Sequence, residues 1–295
     1  MQGKILMKLD QEIIMKNVRI LFSLVSVLLL GFFSRDLYAG STAGGEAQFA
    51  PQEISRFAKQ VEKYAASQGA RVFIIGRVGR APEDLPKGVE FTHTAVAIYS
   101  SINLPDGKTA KGYAIHNLYQ LADKKDRSEL VVDYPVDFFW SAQQMRAGII
   151  IPDTQLQQRL LEAYTKGVQN QVHIPQYSVL ANPYNAKYQN CTEHTLDVIN
   201  AAIYQTTDYA QLKANTKAHF DAQQIKINGM KLLLGSMVMD DVKTSDQSSK
   251  VMTVTMGSIG QYLADNQLLK HAVIIEQDGQ ITPMQYKNKN LVTAR

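Results

Sequence analysis

The fold is decided at the stretch Tyr188-Gln189-Asn190-Cys191-Thr192-Glu193-His194, which opens an amphipathic helical run. Asn190 suits the N-cap of this helix, and Glu193 suits its capping-box partner three residues later. The only cysteine of the chain, Cys191, is then the first helical residue. Unpaired N–H groups and the positive end of the helix dipole stabilise a thiolate at that position, and the thiolate is the nucleophilic form. The stretch therefore predicts a reactive thiol, against the alternative of a cysteine that is only a small buried apolar residue.

The first 39 residues have the pattern of a secretory signal. Lys16 and Arg19 precede an uncharged, mostly apolar run over residues 20–33, and the small residue Ala39 ends the segment. The alternative is an uncleaved membrane anchor, for which the run is short, because a spanning helix needs about 20 residues. We expect cleavage after Ala39 and a periplasmic or secreted protein that contacts the membrane only if the signal stays uncleaved.

The remaining chain has the composition of one globular domain, since 45% of the 295 residues are hydrophobic and 20% are charged. Glycine and proline residues recur at regular intervals between the predicted helices and strands, and no sequence repeat is visible. We therefore predict a flexible lead-in at 40–50 and a single α+β domain at 51–295. Residues 1–39 hold five of the 31 basic and three of the 27 acidic residues, which leaves 26 basic against 24 acidic residues. No basic patch for nucleic acid is present in this near-neutral chain. A single cysteine also excludes an internal disulfide.

A predicted β-hairpin decides which polar residue shares a face with His93. The strand that contains His93 runs to Leu104 and returns after a turn at residues 105–107. A three-residue loop pairs residues whose numbers sum to 212, so Asn117 lies on the face of His93 and His116 points away. A two-residue Asp-Gly turn or one bulge would instead select His116.

These residues supply the parts of a thiol active site. Cys191 is the candidate nucleophile, His93 the base and Asn117, or alternatively His116, the group that orients the imidazole. The Cys191 N–H at the helix start would bind the oxyanion, with a second donor from Gln189 or Tyr188. With six histidines in the chain, the alternative is that His93 is a strand histidine bonded to backbone.

A metal site is a second hypothesis, because Cys191 and His194 form a C-x-x-H pair that could bind zinc or copper together with His93. No second pair completes a tetrahedral set. We therefore expect no metal and no cofactor.

Four segments of the chain resemble known proteins: Phe91-Thr92-His93, Asn117-Leu118-Tyr119-Gln120, the run 133–139 and the run 189–197. Their order, with a histidine strand first and an Asn-Cys-Thr helix start later, resembles the circularly permuted NlpC-type branch of the papain-like superfamily. More closely, the segments are similar to a family of secreted bacterial proteins described as a domain of unknown function. The resemblance implies a papain-like α+β fold, an antiparallel sheet packed on helices that include the Cys191 helix, and the roles given above for Cys191, His93 and Asn117 or His116.

The expected activity is that of an exported thiol hydrolase or acyltransferase acting on an amide or ester. Peptidoglycan peptide is the first expected substrate, because cell-wall peptides are the obvious amides outside the cytoplasm. Lipid acyl groups are the alternative that the permuted relatives imply. A non-catalytic envelope protein that binds glycan or lipid is the third hypothesis.

Overall fold

The computed structural model describes residues 45–81, 85–103, 107–226 and 239–287. The predicted signal at 1–39 lies outside these residues, as does part of the predicted lead-in at 40–50. In the described ranges, no helix is long and apolar enough to cross a membrane.

The described chain forms seven helices and nine strands. The helices are α1 (Pro51–Ser67), α2 (Pro135–Trp140), α3 (Thr154–Thr165), α4 (Val168–Gln171), α5 (Cys191–Tyr204), α6 (Tyr209–His219) and α7 (Met256–Asp265). The strands are β1 (Val72–Val78), β2 (His93–Asn103), β3 (Thr109–Gln120), β4 (Ser128–Asp133), β5 (Gln144–Pro152), β6 (Gln223–Ile225), β7 (Val251–Thr253), β8 (Leu269–Glu276) and β9 (Ile281–Pro283).

Seven of the strands form one sheet in the order β4-β3-β2-β1-β5-β8-β9, and each neighbouring pair is antiparallel. Strands β6 and β7 form a separate antiparallel pair. Helices pack on both faces of the large sheet. The α+β class predicted from the sequence is confirmed.

The two faces of the sheet carry different helices because alternate residues of each strand point to opposite sides. On one face, Phe73 and Ala95 join Phe57 of α1 and Phe138 of α2 in an apolar cluster. On the other face, even-numbered strand residues such as Ile74 and Val96 pack with α3, α5 and α7. Strand β1 and the first six residues of β2 are covered on both sides, which explains their continuous burial.

The predicted hairpin register is present. Strand β2 pairs with β3 from Asn103↔Thr109 to Val96↔His116, pairs that have the predicted sum. Gly107 has a φ of 80°, as expected for the left-handed position after the turn. This register places Asn117 on the His93 face and His116 on the other, as expected.

The capping-box prediction for Asn190 and Glu193 needs correction in part. Asn190 accepts from the Glu193 N–H as predicted, but the Glu193 side chain does not return to the N-cap and contacts Lys213 instead. Helix α3 has Asp153 as its N-cap, and the Asp153 side chain accepts from the Leu156 N–H. The Gln157 carboxamide is buried and accepts from the N–H groups of Arg71 and Val72, because the start of β1 leaves these donors unpaired beside α3.

Candidate active site

His93 and Asn117 are joined by a hydrogen bond of 2.9 Å between His93 Nε2 and Asn117 Oδ1. The Asn117 amide nitrogen donates to Ile115 O at 2.9 Å and to Asp133 Oδ2 at 3.3 Å, which leaves Oδ1 to face the imidazole. An amide oxygen only accepts, so Nε2 carries the proton and Nδ1 of the neutral ring carries the lone pair. His93 Nδ1 is buried and has no hydrogen-bond partner among the described residues. The imidazole is therefore held with its basic nitrogen unused.

The ring of His93 is fixed by aromatic neighbours. It stacks on Tyr119 with centroids 4.8 Å apart and planes 8° apart, and it contacts Phe138 at 5.6 Å. The side chain is 0% exposed. Burial, and secondarily the positive charge of Arg77, lower the pKa of His93 to about 3, against the effect of the Asn117 hydrogen bond. His93 is thus a neutral base at physiological pH.

Cys191 lies where strands β2 and β3 part. Their paired register ends at Val96 and His116, although β2 starts at His93 and β3 continues to Gln120. The Cys191 sulfur is 4.0 Å from the carbonyl oxygen of Thr92 and also interacts with the backbone N–H of Thr94. The thiol therefore contacts the backbone on both sides of His93. No hydrogen bond joins Sγ to the imidazole in the described structure.

Apolar side chains surround the Cys191 thiol. Cys191 is 5% exposed and packs with Leu118 and Tyr177, and Leu130 and Val179 lie against this group. Burial raises the pKa of the Cys191 thiol, and the Thr94 N–H, the hydroxyl and N–H of Thr192 and the charge of Arg77 act in the opposite direction. The low thiol pKa expected from the helix start is therefore opposed by burial.

The residues before Cys191 use their side chains to hold the loop. Gln189 Nε2 donates to Val172 O at 3.0 Å and to Asp197 Oδ2 at 2.8 Å, and Gln189 Oε1 accepts from the Ile174 N–H. Asn190 Nδ2 donates to Val179 O at 3.0 Å. Both amides are therefore engaged within the protein.

The Tyr188 hydroxyl is also engaged, 2.9 Å from Ser245 Oγ. Asn190 caps the Glu193 N–H, so the N–H groups of Cys191 and Thr192 are the donors at the helix start that these contacts do not use. The Thr192 N–H interacts with the cysteine sulfur.

A buried charge network fixes the first two turns of α5. Lys213 Nζ of α6 lies 2.8 Å from Glu193 Oε1 and 2.9 Å from each carboxylate oxygen of Asp197. Gln189 adds a donor to the same Asp197 carboxylate. Two carboxylates share one ammonium here, and burial raises the pKa of Glu193, against the attraction of Lys213 and with the repulsion of Asp197. The network links the Cys191 helix to the loop before it and to the helix after it.

The C-terminal part of the chain supports the loop that leads to Cys191. The Val179 N–H donates to Asp241 O, and the Asn182 N–H donates to the Asp246 carboxylate at 2.8 Å. Asn190 Nδ2 also reaches Thr253 Oγ1 at 3.4 Å. Residues 239–253 thus help to position the helix start. The apolar stretch of sequence at 230–239 lies almost wholly outside the described residues.

The other histidines lie apart from His93. The ring of His116 contacts Tyr164 of α3 at 4.6 Å on the opposite face of the sheet. His194 Nε2 is 3.0 Å from Gln169 O, and its ring is 6.0 Å from that of His173. Within the described residues, no group of three or more histidine, cysteine, aspartate or glutamate side chains is arranged to hold a metal.

Sequence reasoning did not find Arg77, Lys213 or Asp197 as parts of this region. Asp197 ends the segment that carries the family resemblance, four residues after Glu193, and this helical spacing on a mostly apolar helix is the one signal that could have marked it. Nothing local distinguishes Lys213 from the exposed Lys217 of the same helix.

The candidate site residues lie in a segment that matches a known protein family. The sequence model of a family described as uncharacterized protein conserved in bacteria (DUF2145) matches residues 64–263. The chain belongs to this family. The segment matched by DUF2145 includes His93, Asn117 and Cys191, as well as Arg77 and Lys213. No curated protein and no solved structure matches the chain.

Proposed function

We propose that this DUF2145 protein is a thiol hydrolase or acyltransferase that acts on an amide or ester through Cys191, His93 and Asn117. One observation carries the proposal: the Cys191 sulfur contacts the backbone on both sides of His93, whose tautomer is fixed by Asn117 with Nδ1 free. A cysteine at a helix start and a histidine oriented by an amide are the parts of a papain-like site. The antiparallel sheet and the Cys191 helix support assignment to the circularly permuted NlpC-type branch.

The reaction follows from these atoms. The Cys191 S–H bond breaks, its proton passes to His93 Nδ1 directly or through a water molecule, and the sulfur electron pair forms a bond to the carbonyl carbon. The carbonyl π pair moves to oxygen, where the Cys191 N–H at the helix start would stabilise it. Collapse of this intermediate breaks the bond to the amine or alkoxide, which takes the proton from His93. Water or another acceptor then resolves the thioester and restores the thiol.

The substrate class rests on two different arguments. Cell-wall peptide is the first candidate because the expected secretory signal would deliver the protein to peptidoglycan. The apolar surroundings of the thiol, formed by Leu118, Tyr177 and Val179, favour the alternative of a lipid acyl group. The burial that raises the thiol pKa favours the third candidate, a non-catalytic envelope protein.

Intact-mass spectrometry of the purified protein tests the reaction class. Exposure to p-nitrophenyl esters of increasing chain length should give an acyl adduct on wild-type protein and none on Cys191→Ser. Asn117→Ala should slow acylation by about 10²-fold, because proton transfer by a positioned base contributes 10²–10⁴-fold. His116→Ala, on the opposite face of the sheet, should not slow it.

Digestion of peptidoglycan sacculi by the same proteins compares the amide substrate with the esters. A Cys191→Ser protein that turns over either substrate at the wild-type rate would refute the proposed nucleophile. Equal losses in Asn117→Ala and His116→Ala would refute the proposed orienting role of Asn117.

A further inference from the structure

Arg77 is a buried arginine of β1 that pairs directly with His93 across the sheet. Its side chain donates from Nη1 to the carbonyl oxygen of Phe138, and the guanidinium carbon is 5.7 Å from the Tyr119 ring centroid and 5.3 Å from that of Phe138. Arg77 is 3% exposed, and within the part of the chain that the structure describes its Nε has no hydrogen-bond partner. No ion pair of the described residues includes it.

A buried guanidinium without a carboxylate partner is costly, because its desolvation is not repaid by an opposite charge. Three nearby groups interact with the charge of Arg77 and can become negative. Burial raises the pKa of the Tyr119 hydroxyl, which stays protonated and donates to the Asp133 carboxyl at 2.6 Å. Burial also raises the pKa of Asp133, with Asp137 adding to the rise and Arg77 opposing it. The third group is the thiol of Cys191.

The backbone connects Arg77 to the thiol through one residue. The Arg77 carbonyl accepts from the Thr92 N–H at 3.0 Å, and the Thr92 carbonyl is the oxygen 4.0 Å from the Cys191 sulfur. The electrostatic effects agree with this placement, since the charge of Arg77 lowers the pKa of both Cys191 and His93, although burial has the larger effect on each.

We infer that Arg77 is the permanent positive charge opposite which the Cys191 thiolate forms, and that it is a positioning residue for the reaction. The inference rests on the proposed function and adds separate roles to it: His93 accepts the proton, and Arg77 stabilises the thiolate. When the thiol proton moves to His93 Nδ1, the guanidinium stabilises the sulfur anion and destabilises the imidazolium. The imidazolium therefore passes its proton readily to the leaving group, and no lasting thiolate–imidazolium pair is needed.

The charge near the sulfur can be measured on the wild-type protein without any substrate. Iodoacetate is anionic and iodoacetamide is neutral, so a nearby cation speeds the first reagent relative to the second. We expect the ratio of their second-order rates with Cys191 in the folded full chain to exceed that of the urea-unfolded chain by about tenfold. Equal ratios in the folded and unfolded protein would overturn the inference.

Variants then assign the charge to Arg77. Arg77→Met should raise the apparent pKa of Cys191 alkylation and lower the iodoacetate preference to that of the unfolded chain. Arg77→Lys keeps a positive charge at this position, so its alkylation pKa and its iodoacetate preference should stay close to those of wild type. Arg146→Met is the matched control, since Arg146 stacks on Phe91 at 5.5 Å in the same sheet but has the carboxylate partners Glu90 and Glu276. An Arg77→Met protein with a native circular dichroism spectrum and wild-type alkylation would overturn the inference.

The alkylation readouts are independent of turnover. If no substrate is ever acylated but the iodoacetate preference depends on Arg77, the proposed function fails while the electrostatic role stands. If esters are turned over and the preference is absent, the inference about Arg77 fails alone. Should Arg77→Met not fold, the wild-type comparison and Arg77→Lys still decide the outcome.

Discussion

Lys213→Met should be among the most destabilising single substitutions on helix α6. The Lys213 ammonium is 2.8 Å from Glu193 and 2.9 Å from Asp197, and both carboxylates are 0% exposed. Removal of one member of a buried ion pair leaves an uncompensated charge and costs about 3–5 kcal/mol. We expect a loss of that size in the free energy of unfolding at pH 8, measured by urea titration with the m-value compared between proteins.

The cost should depend on pH in a defined direction. Without the ammonium, the folded-state pKa of Glu193 rises further above its value in the unfolded chain, so the folded state binds more protons. A group of this kind contributes stability below its unfolded pKa, near 4.3, that is lost as pH rises through the folded value. The difference between Lys213→Met and wild type should therefore be larger at pH 8 than at pH 5.

Two comparisons make this prediction refutable. Lys217→Met removes an exposed lysine from the same helix and should change the free energy of unfolding by less than about 0.5 kcal/mol. The triple variant that also carries Glu193→Gln and Asp197→Asn should recover part of the lost free energy of unfolding, because positions 193, 197 and 213 then carry no charge. A loss below about 1 kcal/mol in Lys213→Met, or an equal loss at pH 5 and pH 8, would show that the network is not a buried ionic one.

Three further outcomes follow from single sites. Asn190→Ala removes the cap from the Glu193 N–H and should cost about 1 kcal/mol in urea unfolding, whereas an unchanged midpoint would show that the cap is dispensable. Gly148→Ala should cost about 1–3 kcal/mol by overpacking, because a Cβ there would lie 2.6 Å from Met256 Sδ; an unaltered melting temperature would contradict this. The lowered pKa of His93 means that its contribution to stability is complete above pH 6.5 and is lost as pH falls towards 3, so His93→Leu should unfold with a shallower pH dependence over pH 6.5–4. The same slope in His93→Leu and wild type would refute a neutral buried His93.

The sequence predicted the hairpin around His93 in detail because its determinants are local. Strand alternation and the length of the 105–107 turn set the register, and the register selected Asn117 over His116. The start of α5 at Cys191 was predicted for a similar reason, since an N-cap acts within one turn of helix. The prediction for Glu193 was wrong in part, because a lysine 20 residues later offered its side chain a stronger partner than the N-cap N–H.

Three features follow from the sequence alone: the α+β class, the face shared by His93 and Asn117, and the placement of Cys191 at a helix start. The last two depend on spacing within one hairpin and one helix turn. Other features come only from tertiary packing: the sulfur lies against the backbone around His93, Arg77 is buried opposite His93 with no ion pair among the described residues, and Lys213 is the lysine that enters the core. The physical reason is that the cost or benefit of a charge depends on what surrounds it, and those surroundings come from segments that are distant in the chain and meet only when the sheet and its helices pack.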